Sequence, residues 1–264
     1  TYNILSTEFH TVKLADGSTL YARLIRPAGF QAGHKYPVIV PVYGGPHAQN
    51  VRNVWTGLTI EQVYAHQGFV VWQLDNRGTS GRGHAFETPV ARRLGAVELE
   101  DQLAGIAYLK KTGFVDPKRI GLSGWSYGGY MTLNGLLNAP DIFRAGISGA
   151  PVVDWRFYDS IYTERYMDLP QANPEGYAAR SLLPKAGNLK ASLLLIHNLW
   201  DDNVHFQNSL QMMDRLQQAG KPFELMIYPQ KTHGVTGDAQ RHMQRLMLNF
   251  FLRELKGASP TAGR

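Results

Sequence analysis

The chain has 264 residues, of which 44% are hydrophobic and 18% charged, with a formal net charge of +6 and no cysteine. That length suits one large α/β domain with a buried sheet, and the missing cysteine excludes a disulfide framework, a cysteine nucleophile and a thiolate metal site. The basic residues fall in short scattered runs (Arg92-Arg93, Lys110-Lys111, Lys118-Arg119) with no basic stripe among aromatics, which excludes nucleic acid as the expected partner, and no apolar stretch reaches membrane-spanning length.

In chain order, Glu8 to Leu14 and Thr19 to Ile25 read as two strands joined by an Asp16-Gly17 turn, a hairpin signal. An opening directly on a strand, with no signal peptide, reads as a fragment of a longer protein. Pro37 to Tyr43 reads as a strand ending in Gly44-Gly45-Pro46, and Phe69 to Leu74 as one ending in Asp75-Asn76-Arg77-Gly78. Leu94 to Lys111 predicts an amphipathic helix whose acidic first turn carries Glu98, Glu100 and Asp101. Arg119 to Ser123 is a strand and Tyr130 to Leu137 a helix. Three more strands follow: Ala145 to Ser148, ending in Gly149-Ala150-Pro151; Ser192 to His197, ending in Asp201-Asp202-Asn203; and Phe223 to Tyr228, ending near His233. Asp238 to Leu255 is a closing helix, and 257–264 a disordered tail. Apolar strands separated by helices predict an α/β fold over residues 1–256, with a mostly parallel sheet covered on both faces. Sites in such sheets lie beyond the carboxyl ends of the strands.

Gly124-Trp125-Ser126-Tyr127-Gly128 sits between a predicted strand and a predicted helix, the setting of a nucleophile elbow. The tight turn strains the serine backbone and leaves no room for neighbouring side chains, hence the glycines. Ser126 is then the candidate nucleophile, and the Tyr127 N–H is free to bind an oxyanion. A serine needs a base, and the base a carboxylate to orient it, in the chain order serine, acid, histidine. His10, His34, His47, His66 and His84 precede the serine; His197 reads as a core histidine on a buried strand. His205 follows the acid too closely and opens a helix, and His242 lies within the last helix. His233, in the Thr232-His233-Gly234 loop, remains as the base. The acid is Asp201 or Asp202, with Asp201 preferred and its neighbour left as a loop brace or helix cap; Asp75 and Asp154 precede the strand expected to carry it. Tyr43, at a strand end before two glycines, is either a second oxyanion donor or an ordinary aromatic there. Trp155, Tyr158 and Tyr162 would share one face of a helix, as a core stripe or as an aromatic wall beside the elbow. This chemistry calls for no cofactor and no metal.

These segments resemble the prolyl oligopeptidase family of serine peptidases, and within it the dipeptidyl peptidase IV subgroup. The resemblance runs from about Tyr36 to the last helix. It rests on the elbow with its following Gly129-Tyr130, on Tyr158-Asp159-Ser160, on Tyr162-Thr163-Glu164-Arg165-Tyr166-Met167 and on Asp201-Asp202-Asn203-Val204-His205-Phe206, with support from Arg93-Leu94-Gly95 and Phe114-Val115-Asp116. It implies an α/β-hydrolase fold with Ser126, Asp201 and His233 as the triad, and the Tyr43 hydroxyl and Tyr127 N–H as the oxyanion hole. It also implies a proline-sized pocket lined by Tyr127, Val152, Trp155, Tyr158, Tyr162 and Val204, with Asn203 on the substrate's P2 carbonyl. The implied substrates are peptides with proline or alanine at P1, cleaved to release N-terminal dipeptides; an oligopeptidase or acylaminoacyl-peptidase is the alternative, and a non-catalytic binding or assembly relative a more distant one. The family's N-terminal β-propeller, which recognises the free amino terminus, is absent from this chain, so an apolar face normally covered by it would be exposed. The resemblance further implies a homodimer through the last helix, where Met243, Leu246, Met247, Phe250 and Phe251 make an apolar face that would also suit the core. An exported, periplasmic protein is expected, with the cytoplasm as the alternative.

Overall fold

The Asp16-Gly17 hairpin opens the fold. Strands β1 (Thr7–Lys13) and β2 (Thr19–Ile25) pair antiparallel, and Gly17 at φ 87° closes their turn. The structure is a computed structural model that describes residues 3–258, so the expected tail lies outside the described residues from 259 onward. After the hairpin come β3 (Tyr36–Pro41), α1 (Ile60–His66), β4 (Val70–Asp75), α2 (His84–Glu87), α3 (Val97–Lys110), β5 (Val115–Trp125) and α4 (Tyr127–Asn138). The second half holds β6 (Ala145–Gly149), α5 (Ser160–Met167), α6 (Pro174–Arg180), β7 (Ser192–Asn198), α7 (Gln207–Gln218), β8 (Glu224–Tyr228) and α8 (Asp238–Lys256).

The eight strands form one sheet in the order β1-β2-β4-β3-β5-β6-β7-β8. The pairs β1·β2 and β2·β4 are antiparallel and every pairing from β4 to β8 is parallel. Side chains alternate between two apolar layers, as a period of two requires. Val38 and Val40 pack with residues of α3 and α4, while Ile39 between them packs with Tyr64 of α1 and Phe251 of α8. Helices thus cover both faces, as the continuous apolar strands predict.

Three boundaries differ from the sequence reading. β3 stops at Pro41, because Tyr43 to Pro46 turn away from the sheet as a loop. The strand at Arg119–Ser123 is the central part of the longer β5, which pairs with β3 across an irregularity between Tyr36 and Val38. α3 begins at Val97, since Gly95 adopts φ 84° before it. Two acids of its first turns, Glu98 and Asp101, are buried rather than solvated. On α8, Phe250 and Phe251 are buried in the core, while Met243, Leu246 and Met247 pack against the same cluster and keep part of their surface exposed.

Candidate active site

Ser126 lies between β5 and α4 with φ 61° and ψ −119°, a backbone conformation that an L side chain rarely adopts. Its N–H is held by the Gly149 carbonyl at 2.8 Å, which ties the turn to β6. The flanking glycines are dictated by contact. A Cβ on Gly124 or Gly128 would run into the carbonyl oxygen of Val42, a backbone atom that cannot swing aside. Tyr127 begins α4, so its N–H is one of the first-turn donors that a helix cannot satisfy internally.

The acid and the imidazole meet across the β7 and β8 loops. His233 Nδ1 lies 2.8 Å from Asp201 Oδ2 and 3.1 Å from Oδ1. A carboxylate only accepts, so Nδ1 carries the proton and the lone pair of the neutral ring is on Nε2. Asp201 is buried, and its Oδ1 also accepts the N–H groups of Asn203 at 3.0 Å and Val204 at 2.9 Å. Burial alone would raise its pKa, but the hydrogen bonds from His197 and His233 outweigh that and hold the carboxyl well below the ordinary aspartate range. Asp202 is exposed. Of the other candidate acids, Asp75 accepts the Asn50 and Val51 N–H groups and Asp154 pairs with Arg156, so both serve their own loops. The residue before the serine reaches the histidine loop: Trp125 Nε1 donates to the His233 carbonyl at 2.9 Å.

On the other side of Ser126, the rings of Tyr43 and Tyr127 lie 6.0 Å apart. Gly45 lets them approach, because a Cβ there would meet Tyr43 Cε1 at 2.8 Å and Tyr127 Cγ at 2.9 Å. Burial raises the Tyr43 phenol pKa, so it stays an O–H donor at neutral pH. An aromatic wall follows: Trp155 lies 5.2 Å from Tyr127 and stacks on Tyr162 at 6.3 Å, and Tyr162 meets Tyr158 edge-on at 5.4 Å. Val152 and Val204 are buried in the same cluster. Tyr158 donates its hydroxyl to Asn203 Oδ1 at 2.6 Å, which leaves the Asn203 amide hydrogens as donors. A cleft of about 690 Å³ runs past Tyr158, Asn203 and His233. All the residues picked from the sequence therefore fall around one end of the sheet.

The helix expected beneath Trp155, Tyr158 and Tyr162 is not there. Trp155–Phe157 is a single 3₁₀ turn, Tyr158 and Asp159 are extended, and α5 starts afresh at Ser160. The Asp154 side chain caps the first turn at the Arg156 N–H (3.0 Å), and Asp159 caps α5 at the Tyr162 N–H (2.7 Å). Two N-caps five residues apart break one helix into two.

Three contributors escape the sequence reading. His197 is buried as a core histidine should be, yet its Nε2 lies 2.8 Å from the Val204 carbonyl and 3.4 Å from Asp201 Oδ2, and its Nδ1 lies 2.6 Å from Ser209 Oγ. Trp125 fills the first of the motif's two free positions. Glu98, fully buried, accepts the Tyr127 hydroxyl at 2.5 Å. Its signal is present in the sequence: Glu98, Gln102, Gly105 and Leu109 follow helical spacing on the buried face of α3. Among the described residues, no group of three or more histidines, aspartates or glutamates is placed to hold a metal ion.

Fold and site together define an α/β hydrolase domain with a serine elbow and an adjacent aspartate–histidine pair. The chain belongs to the prolyl oligopeptidase family, whose model matches residues 56–258. It is 40% identical over 257 residues to dipeptidyl peptidase 8 of Homo sapiens, covering 95% of this chain and 29% of that protein. Prolyl endopeptidase FAP of Homo sapiens is 39% identical over 238 residues, covering 89% of this chain and 31% of that protein. The crystal structure of Porphyromonas gingivalis dipeptidyl peptidase 4 superimposes with a TM-score of 0.92 at 38% identity, covering 96% of this chain and 36% of that one. The chain thus spans about a third of the length of these relatives.

Proposed function

We propose that this domain is the catalytic part of a serine peptidase that cleaves after proline or alanine and, in the longer protein, releases N-terminal dipeptides. The observation that carries the reading is the Asp201–His233 pair beside the strained Ser126 turn. His233 Nε2 takes the Ser126 proton as Oγ attacks the P1 carbonyl carbon, and the Tyr127 N–H and Tyr43 hydroxyl bind the oxyanion. His233 then passes that proton to the leaving amine as the C–N bond breaks. A water deprotonated by the same nitrogen hydrolyses the acyl-enzyme, and the proton returns to Ser126 as the ester bond breaks. A proline ring, flat, apolar and without an N–H, suits the wall of Trp155, Tyr158 and Tyr162. The Asn203 amide takes the P2 carbonyl. Asp201 stabilises the imidazolium that forms in each half-reaction.

The relative named prolyl endopeptidase favours a second reading, an endopeptidase or acylaminoacyl-peptidase with the same triad. Hydrolysis of Gly-Pro-anilide by the full-length protein, beside its N-acetylated form, separates the two. Cleavage of the free amine alone is expected; equal cleavage, or preference for the blocked form, moves the protein to the second reading. Ser126→Ala should abolish labelling by a serine-directed phosphonate, and persistent labelling would sink the triad. In the longer protein a preceding domain would cover the apolar surface at Val54, Trp55 and Leu58, where Trp55 is 81% exposed. A homodimer through α8 would use the part of the stripe that stays accessible, at Met243, Leu246 and Met247, since Phe250 and Phe251 are buried in the core.

A further inference from the structure

Helix α3 turns a buried polar edge toward the site. Glu98 Oε1 accepts the Tyr127 hydroxyl at 2.5 Å, while Oε2 is buried with no hydrogen-bond partner among the described residues. One turn on, Gln102 Nε2 donates to Asn76 Oδ1 at 3.0 Å, and Asn76 Nδ2 donates to the Gly44 carbonyl at 2.9 Å. The same helix thus braces both places that carry the proposed oxyanion donors, the loop after Tyr43 and the first turn of α4. A carboxylate is a costly brace. Glutamine would accept the same hydrogen bond without a burial penalty for charge, and leucine would fill the space without an orphaned oxygen. The cost falls at one ring, Tyr127, which stands between Tyr43 and Trp155 at 6.0 and 5.2 Å.

We infer that Glu98 is a positioning residue for P1 selectivity: its hydrogen bond to the Tyr127 hydroxyl sets the ring against which a P1 proline packs, and the grip of that bond follows the charge on Glu98. The inference rests on the proline-directed reading above. Burial pushes the Glu98 carboxyl up to about 7, against the opposing pull of the Tyr127 hydrogen bond and of the nearby Gly95 and Glu98 backbone N–H dipoles. The titratable groups around it are Tyr127 and Tyr130 of α4, Asp101 of α3 and Tyr162 of α5. Burial raises all three tyrosines, so they stay neutral while Glu98 changes charge. An ionised acceptor holds a phenol more strongly than a neutral one. Proline covers more of the ring than alanine does, so its transition state gains more from a fixed ring.

The test uses the full-length protein and two substrates that differ only in proline or alanine at P1. The ratio of their kcat/KM values cancels any effect of pH on the proposed triad, which acts on both alike. In the wild type the ratio should rise about fivefold between about pH 6 and pH 8, the difference between a neutral and a charge-assisted hydrogen bond. In E98Q it should be flat and close to the acidic wild-type value. Y127F, which keeps the ring and loses the hydroxyl, should also give a flat ratio, and it decides the matter if E98Q does not fold. A wild-type ratio independent of pH, or an E98Q or Y127F ratio with the wild-type slope, overturns the inference and leaves the peptidase reading standing. A wild type that cleaves both substrates without preferring proline at any pH overturns the inference alone, and one that cleaves neither overturns both.

Discussion

At the scale of single residues, the two neighbouring aspartates show how location decides chemistry. Asp201 and Asp202 are adjacent and chemically identical, yet only Asp201 is buried against His233 with two backbone N–H groups on its carboxylate. Sequence reasoning could prefer Asp201 but not derive it, because adjacent loop residues point in different directions and spacing does not say which points inward. Asp201→Asn should keep the geometry but put an amide where the imidazole proton needs an acceptor. A fall in kcat of about 10⁴ with KM little changed is expected, whereas Asp202→Asn should change kcat far less. Steady-state kinetics on the two variants, with urea unfolding as a control for the fold, checks this. His197 was legible as a buried histidine but not as a neighbour of Asp201. Its reach to the carboxylate depends on the turn from Asn198 to Val204 folding back over β7, which no local pattern announces.

Among the elements, those bounded by glycines and filled with apolar residues were readable, and those organised by caps were not. The hairpin, the central strands and the elbow each carry a local chemical reason for their limits. The segment from Asp154 to Met167 was misread because aromatics at helical spacing outweighed two aspartates at N-cap positions. Its bend matters: Tyr158 is turned toward Asn203 while Tyr162 stacks on Trp155, an arrangement that one straight helix would not give. Asp159→Ala removes the cap of α5 and should cost about 1 kcal/mol of stability. It should also raise KM for proline substrates more than it lowers kcat, because the wall shifts while the triad stays. Denaturant unfolding and initial rates on the same preparation test both halves. α3 is legible as a helix, but which of its first-turn acids face the core is not. Asp101 is buried against Arg77, which donates to it at 2.7 Å, a pairing that local charge does not reveal.

Over the whole molecule, the buried acids pull stability in opposite directions with pH. Asp201 has its pKa lowered in the fold, so its contribution is complete above the ordinary aspartate value and is lost as the medium becomes more acidic than that. Glu98 is raised from 4.5 to about 7, so the folded chain holds a proton that the unfolded chain has released across that interval, and stability falls as pH rises through it. Glu98→Gln should flatten that fall, by on the order of 3 kcal/mol, seen in urea unfolding at about pH 5 and about pH 8. An unchanged slope in the variant would mean that another group carries the proton. The mostly parallel sheet was legible because apolar strands alternate with helices along the chain, whereas the strand order, with β4 between β2 and β3, has no local signal. The candidate site was legible because its parts follow the strands in the order that the proposed chemistry needs. The Trp125–His233 contact carries one more consequence. His233, the proposed base, rides on a loop that no strand pairs, held to the rest of the domain by Asp201, by an indole one residue from Ser126 and by the Asn198 amide on the Thr232 carbonyl. Such a segment can open while the sheet stays closed. Under the proposed mechanism, activity would then be lost by local opening of this loop and regained on its closing, with the sheet intact throughout.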